Sequence, residues 1–192
     1  PTQDQASPEV VPASAKELLN NTIGGNSWRL VGQWIEWQFD VEESGYYEIS
    51  LHDKQNFSRG VAVSRRITVD GEVPFAELNN YEFIYEQNWR TDVLSDVNGE
   101  AFKFYLEEGS HTLRMEVVLG DFSEIVGLVE EAVQQLNDIY RSVIKVTGVA
   151  PDTYRDYQIE ATLPELNGKL VQVREIINLA LEKLEVVAGK NS

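Results

Sequence analysis

The spacing of apolar residues changes at Gly120. Upstream of this residue, apolar and polar side chains alternate, most clearly in QWIEWQFDV at 33–41. Downstream, apolar residues recur every three or four positions between Phe122 and Ile144. Alternation places side chains on the two faces of a strand, whereas a period near 3.6 forms one stripe on a helix. The pattern therefore predicts a β unit at 1–119 followed by a helical unit at 120–192.

The β unit is predicted to be an antiparallel sandwich or jelly roll, because it contains short strands separated by turn residues. Strands are expected at 34–41, 46–53, 61–69, 72–77, 102–106 and 111–119. The turn sequences EESG at 42–45 and EEGS at 107–110 predict two hairpins. We interpret 79–98 as a long loop with one short strand at 91–94.

The helical unit is predicted to be a hairpin of two long helices, at about 122–146 and 164–188. Gly148 follows the first helix at the position where glycine commonly ends one. The second helix carries more apolar positions than a two-helix seam needs. These extra positions are Val171, Ile176, Leu179, Val186 and Val187. They indicate that the helices also pack on the sandwich, or that a further partner segment covers them.

Charge and composition narrow the function. The net charge is −16: the β unit has 9 basic and 20 acidic residues (−11), and the helical unit has 7 and 12 (−5). Both units would repel phosphate backbones and anionic lipid, so nucleic acid is excluded as a partner. The chain has no cysteine, which removes disulfides and thiolate chemistry, and its apolar runs are too short for a direct membrane span.

Several segments resemble a known family. The runs IGGNSW (23–28), LVGQWIEW (30–37) and EESGYYEI (42–49) are similar to the opening of galactose-binding-like jelly rolls. The run VSRRITVDGEVPF (63–75) resembles the carbohydrate-binding-module-like region near the N-terminus of large Gram-positive extracellular solute-binding proteins of ATP-binding-cassette sugar transporters. The runs GDFSEI (120–125) and PDTYRDY (151–157) resemble the helical segment that follows this region.

The resemblance implies a fold and a role. The fold is mostly β plus α: a galactose-binding-like β-sandwich jelly roll followed by a long two-helix hairpin, which is packed on or inserted in the sandwich. No obvious returning strand follows the helices, so the sandwich is expected to lack its last strand. The implied function is that of a non-catalytic carbohydrate-binding module in an extracellular protein for sugar uptake. Its implied partners are carbohydrate, the remainder of the parent solute-binding protein and the transporter, and the parent would anchor it at the cell surface.

Two loops contain the mixture of aromatic and planar polar side chains that sugar recognition requires. They span 52–59 and 79–90. Trp89 and Phe57 are the leading candidates, because polar residues flank both. The supporting candidates in these loops are Asn56, Arg59 and Tyr85. The alternative is that the aromatic residues cover the sandwich as packing groups.

Two strand positions are further candidates. Trp34 and Trp37 lie three residues apart, so they face opposite sides of a strand. We expect Trp34 to pack in the core, and Trp37 to face either the core or a groove. Arg65 and its neighbour Arg66 also face opposite sides, and one of them can offer a forked donor to a diol or a carboxylate. The alternative for the pair is an ion pair with a nearby carboxylate.

Catalysis and metal binding are not predicted. Neighbouring carboxylates fall in turns or on helix surfaces, whereas a glycosidase needs two carboxyl groups facing each other across a cleft. The two histidines are far apart in sequence, and no ligand spacing surrounds them. A structural calcium ion is not supported, because residues 1–32 lack the Glu-x-Glu pattern often found in sugar-binding jelly rolls. The alternative to sugar binding is a protein–protein interaction or scaffolding module with no sugar site.

Overall fold

The computed structural model describes residues 2–4, 7, 9–14, 16–57 and 59–189. The chain divides into two compact units, Pro1–Gly120 and Asp121–Lys190. The first unit is rich in strands and the second is helical. The prediction of a β region followed by an α region is therefore confirmed.

The β unit contains eight described strands. They are β1 (Trp34–Val41), β2 (Gly45–Tyr47), β3 (Ser50–Asp53), β4 (Val63–Val69), β5 (Tyr81–Phe83), β6 (Arg90–Val93), β7 (Phe104–Leu106) and β8 (Gly109–Val118). A four-stranded antiparallel sheet has the order β1-β8-β4-β5, and two ribbons pair β2 with β7 and β3 with β6. The ten-residue β8 is one of the two inner strands of the larger sheet, because it pairs with both β1 and β4.

The two predicted hairpins are wrong. The chain passes from β1 in the four-stranded sheet to β2 in a ribbon, and returns from β7 in that ribbon to β8. The partners are β1 with β8 and β2 with β7, so both connections join different sheets. The Glu108 backbone N–H donates to Ser44 Oγ at 2.8 Å, which ties the two connections together. A turn sequence indicates a reversal of the chain, but it does not say which strands become neighbours.

Three further predictions need correction. The predicted strand 46–53 is two strands, because β2 and β3 bond to different partners. The predicted strand 72–77 is reduced to one bridge between Val69 and Glu72, followed by a 3-10 helix at Ala76–Asn80. Pro74 has no N–H to donate to a ladder, which explains why pairing stops there. Within 79–98 the short strand expected at 91–94 is confirmed as β6, but the segment also contains β5, which the prediction lacked.

The β unit has one core that all its sheets share. Buried residues come from β1, β4, β5, β7 and β8, and from the segments between the strands. They are Val41, Ile67, Val69, Leu78, Phe83, Leu94, Phe102, Phe104, Leu106, Leu113 and Met115. Inward residues alternate with outward ones along β7 and β8, as the period-two pattern predicts, whereas in β4 the buried Ser64 departs from the alternation of Ile67 and Val69.

The helical unit consists of α1 (Phe122–Thr147), the short α2 (Ile159–Thr162) and α3 (Leu166–Gly189). Gly148 ends α1 with φ +75°, and its N–H donates to the Ile144 carbonyl, so its predicted role as a cap is confirmed. The buried residues recur every seven positions in both long helices: Ile125, Ala132 and Ile139 in α1, and Val173, Ala180 and Val187 in α3. An ion pair of 2.8 Å joins Lys183 near the end of α3 to Glu124 near the start of α1, so the two helices are antiparallel.

Candidate functional site

The two loops singled out in the sequence meet at one end of the β3–β6 ribbon. His52 and Asp53 of β3 pair in register with Thr91 and Arg90 of β6. Beyond the ribbon, the Glu86 backbone N–H donates to the Gln55 carbonyl at 2.8 Å. We call this region the ribbon-end surface, formed by residues 52–57, 59 and 85–91. The ladder brings together two segments that lie more than 30 residues apart in the chain.

Trp89 is held firmly within the ribbon-end surface. Its ring stacks on His52, with centroids 5.2 Å apart and planes 14° apart. The Lys54 ammonium lies 4.9 Å from the centroid of the same indole. The indole N–H donates to Asp4 Oδ2 at 2.9 Å. Trp89 is therefore half-buried, and its π-face and its polar edge both already have protein partners.

Asp4 links the N-terminal segment to this surface. The same Oδ2 atom that accepts from Trp89 accepts from Lys54 Nζ at 2.8 Å. A short antiparallel bridge between Thr2 and Thr22 holds the segment nearby. The carboxylate of Asp4 therefore offsets the positive charge of Lys54 and accepts the single N–H of the Trp89 indole.

Phe57 is outward-facing on a loop that Gln55 organises. Gln55 is buried, and its amide N–H donates to the Val61 carbonyl at 2.9 Å. Its Oε1 accepts the Phe57 backbone N–H at 3.0 Å, so the loop is bonded from inside. The Phe57 side chain nevertheless remains 72% exposed, with its ring beside the turn at Gly25. Phe57 therefore presents a large apolar ring to solvent from a loop that is hydrogen-bonded from inside.

The remaining loop candidates lie near these two. Asn56 and Arg59 are exposed on the Phe57 loop. Tyr85 is half-buried, and its hydroxyl accepts from Gln87 Nε2 at 3.0 Å. The ribbon-end surface thus contains five of the seven predicted residues: Trp89, Phe57, Asn56, Arg59 and Tyr85.

Arg65 and Trp37 lie in the four-stranded sheet instead. The Arg65 guanidinium carbon is 4.5 Å from the centroid of the Trp28 ring, and its Nη1 donates to the Ser64 carbonyl at 2.9 Å. Burial lowers the pKa of Arg65. Its neighbour Arg66 forms the predicted type of ion pair, with Glu116. Trp37 packs against the β core, which is one of its two predicted environments.

The expectation that Trp34 packs in the core is wrong. Trp34 is 52% exposed, and the Arg114 guanidinium carbon lies 4.1 Å from its ring centroid. The inward face of β1 carries the odd-numbered residues from Ile35 to Val41, whereas Trp34 has even parity. The sequence of β1 already indicated the outward position of Trp34. All four odd-numbered residues from 35 to 41 are apolar and form the inward face, and Trp34 lies on the other face.

Sequence reasoning missed a pair of outward tyrosines on the β2–β7 ribbon. Tyr46 and Tyr105 are register partners, with ring centroids 5.4 Å apart in an edge-to-face arrangement. Their side chains are 74% and 59% exposed. Tyr105 also borders an open groove of about 400 Å³, which Phe75 and Lys103 help to line. The alternation of β7 could have revealed this pair. Its apolar residues Phe104 and Leu106 point inward, so Tyr105 between them must point outward.

Asp53 and both members of the Asp70–His111 pair have shifted pKa values. Burial raises the pKa of Asp53 at the ribbon end, and the cation of Arg90 opposes this change. The hydrogen bond at 2.6 Å with Asp70, which follows β4, raises the pKa of His111 in β8. Desolvation acts to raise the pKa of Asp70, but its hydrogen bonds with His111 and Thr112 outweigh this and lower it. The Asp70–His111 pair holds a turn and lies outside the ribbon-end surface.

No cluster of three His, Asp or Glu side chains suited to a metal ion occurs within 2–4, 7, 9–14, 16–57 and 59–189. In that same described part of the chain, none of the helices combines the length and the apolar character that a membrane crossing requires.

Comparison with known proteins identifies a relationship for the helical unit. Residues 124–192, about a third of the chain, match the family model described as "Bacterial solute-binding protein, 4-helix bundle domain". A search of curated proteins found no match. The helical unit is therefore similar to part of a bacterial solute-binding protein, and this agrees with the wider family suggested by the sequence runs. Such a domain points to a role in solute uptake outside the cell.

Proposed function

We propose that the chain is a non-catalytic carbohydrate-binding module of an extracellular solute-binding protein for sugar uptake, with a galactose-binding-like jelly roll as its β unit. The match of the helical unit supports the wider setting. The ring of Phe57, exposed on an internally bonded loop, is the observation that carries the sugar site. The apolar face of such a ring packs against the C–H face of a pyranose, and adjacent polar side chains bond its hydroxyls.

The proposed site is the ribbon-end surface. Phe57 supplies the free stacking face, while Asn56 and Arg59 on the same loop supply exposed hydrogen-bonding groups. Trp89 contributes to the same surface and is held there by its contacts with His52 and Lys54. Few side chains are involved, so binding is weak for each site, with a Kd on the order of 1 mM.

Calorimetric titration of the 192-residue chain with a panel of plant and microbial oligosaccharides tests this proposal. At least one sugar is expected to bind, and Phe57→Ala is expected to weaken it about tenfold, because the variant loses one stacking contact. Tyr154→Ala is the matched control, since this aromatic residue is 99% exposed but lies in the helical unit. The absence of binding to every sugar would contradict the proposal. Unchanged binding by Phe57→Ala together with loss in Tyr105→Ala would move the site to the β2–β7 ribbon.

The second candidate function is a protein–protein interaction or scaffolding module without a sugar site. The apolar surface of the helical unit favours it, because many of its large aliphatic side chains are more than 40% exposed. The two functions are separable in the same titration. A module of this second kind would ignore the sugars and still associate through its helices.

A further inference from the structure

An open groove lies beside β7, between residues 103–106 and residues 69–75 at the end of β4 and after it. Its volume is about 400 Å³, within the range of roughly 300–1,000 Å³ that sites for small ligands occupy. The described residues that line it all lie outside the ribbon-end surface. We call it the β7 groove.

The aromatic rings of the β7 groove are held in place by other rings. Phe75 stacks on Phe102, with centroids 4.5 Å apart, and meets Phe104 edge-on at 5.3 Å. Tyr105 meets Tyr46 edge-to-face at 5.4 Å, and its side chain is 59% exposed. The apolar wall of the groove is therefore fixed before a ligand arrives, so binding loses little side-chain freedom.

Two side chains of opposite charge line the groove without bonding to each other. Within the described part of the chain, neither the Glu72 carboxylate nor the Lys103 ammonium forms an ion pair or a hydrogen bond. The Tyr105 hydroxyl likewise has no partner among these residues. Asp70 differs, because its carboxylate already accepts from Thr112 and pairs with His111. The groove thus offers a ligand an acceptor on Glu72 and donors on Lys103 and Tyr105.

These groups suit a neutral ligand that is rich in hydroxyls. An anion would be repelled by the carboxylates of Asp70 and Glu72, and a cation would be repelled by the Lys103 ammonium. A sugar carries hydroxyls that both donate and accept, so one ring can bond Glu72 and Lys103 together. The C–H face of the same ring matches an exposed tyrosine ring.

We propose that the β7 groove is a second carbohydrate subsite, which takes one pyranose ring. Tyr105 stacks on this ring, Glu72 accepts a hydrogen bond from one hydroxyl, and Lys103 donates to another. The choice of a sugar as the ligand rests on the proposed function, whereas the groove itself is separate from the surface around Phe57. Since few side chains are involved, the Kd at this subsite is on the order of 1 mM.

The test is a titration of the isotope-labelled 192-residue chain with cellotriose, xylotriose and mannotriose, followed by two-dimensional NMR. At least one of these sugars is expected to shift two separate groups of amide resonances, one around Phe57 and the other at 69–75 and 103–106. Phe57→Ala should remove the first group of shifts and keep the second. Tyr105→Ala should keep the first group and weaken binding at the groove about tenfold, because it removes the stacking contact.

A second variant guards against a folding defect in Tyr105→Ala. The Glu72 side chain is exposed and has no partner among the described residues, so Glu72→Gln leaves the packing unchanged. It is expected to weaken binding at the groove about fivefold, because a neutral amide accepts a hydrogen bond less strongly than a carboxylate. Tyr140→Ala is the matched control: Tyr140 is 62% exposed, close to the value for Tyr105, but lies in α1 and should alter neither group of shifts.

The possible outcomes separate this subsite from the proposed function. Shifts confined to residues around Phe57 would overturn the second subsite and leave the proposed function intact. Groove shifts that disappear in Phe57→Ala would also overturn it, because both groups would then report one site. Groove shifts that survive both Tyr105→Ala and Glu72→Gln would refute the assigned contacts. If no resonance moves with any of the three sugars, the groove and the Phe57 site fail together.

Discussion

The β unit and the helical unit use their apolar residues differently. In the β unit, strands from distant parts of the chain share one core, where Ile67, Leu78 and Leu94 are almost completely buried. In the helical unit, the α1–α3 seam buries small or medium side chains at every seventh position, while leucines beside it remain about half exposed. The comparison shows that apolar content alone does not measure how much of a unit's surface is already covered. The covered fraction of the apolar surface depends instead on which face of each strand or helix the apolar residues occupy.

The strongest test of this difference in burial between the two units is to truncate one leucine in each unit to alanine. Leu94→Ala is expected to destabilise the β unit by about 3 kcal/mol, because a fully buried leucine leaves a cavity. Leu181→Ala is expected to change the free energy of unfolding of the helical unit by less than about 0.5 kcal/mol, because its side chain is 51% exposed.

Urea unfolding measures both effects. Tryptophan fluorescence reports the β unit, because all four tryptophans precede Gly120, and the signal at 222 nm reports the helices. If the two variants lose similar amounts of unfolding free energy, Leu181 must be buried about as well as Leu94, and the contrast between the units fails.

Two glycine-to-alanine substitutions, one in each unit, sharpen the contrast. One is expected to lower the free energy of unfolding and the other to raise it. Gly120 ends the β unit with φ +58°, and an added Cβ would collide with Ser64 and Asn80. Gly120→Ala is therefore expected to cost about 2 kcal/mol through backbone strain and overlap. Gly127 lies within α1 with open space where a Cβ would be, so Gly127→Ala should stabilise the helices by about 0.5–1 kcal/mol. The thermal unfolding midpoints of the two variants show whether each substitution stabilises or destabilises its unit. A higher midpoint for Gly120→Ala would contradict the close packing around Gly120.

The smallest expected effect is a dependence on pH that is confined to the β unit. The pKa of His111 is raised by its bond to Asp70, so its contribution is complete below the unfolded value and is lost as the pH rises through the folded pKa. The pKa of Asp70 is lowered, so its contribution is lost as the pH falls through that lower value. The pair therefore stabilises most between about pH 4 and pH 6.5.

The measurement is the unfolding midpoint of the wild type and of His111→Gln between pH 5 and pH 8. The two midpoints should converge as the pH rises, and the helical unit, which contains no histidine, should show no such convergence. A difference that grows towards pH 8 would contradict the assignment.

Local pattern predicted the elements well and their neighbours poorly. The helix bounds and the Gly148 cap followed from periodicity and one glycine, since both depend on residues close in sequence. The pairing of β1 with β8 joins residues about 75 positions apart, and no turn sequence encodes it. The ribbon-end surface is similar: its two loops were recognised separately, and the β3–β6 ladder brought them together. The outward positions of Trp34 and Tyr105 could have been predicted, because each lies on the opposite face of its strand from the apolar residues that alternate with it.

The bond between Asp4 and the ribbon-end surface has a consequence for affinity. The indole of Trp89 has a single N–H, so a ligand that needs it must first displace a carboxylate tethered to the same chain, which also pairs with Lys54. A tethered group competes at an effective concentration in the millimolar range or above. The N-terminal segment is thus a built-in competitor, and removing its carboxylate would release two donors without altering the ring of Phe57.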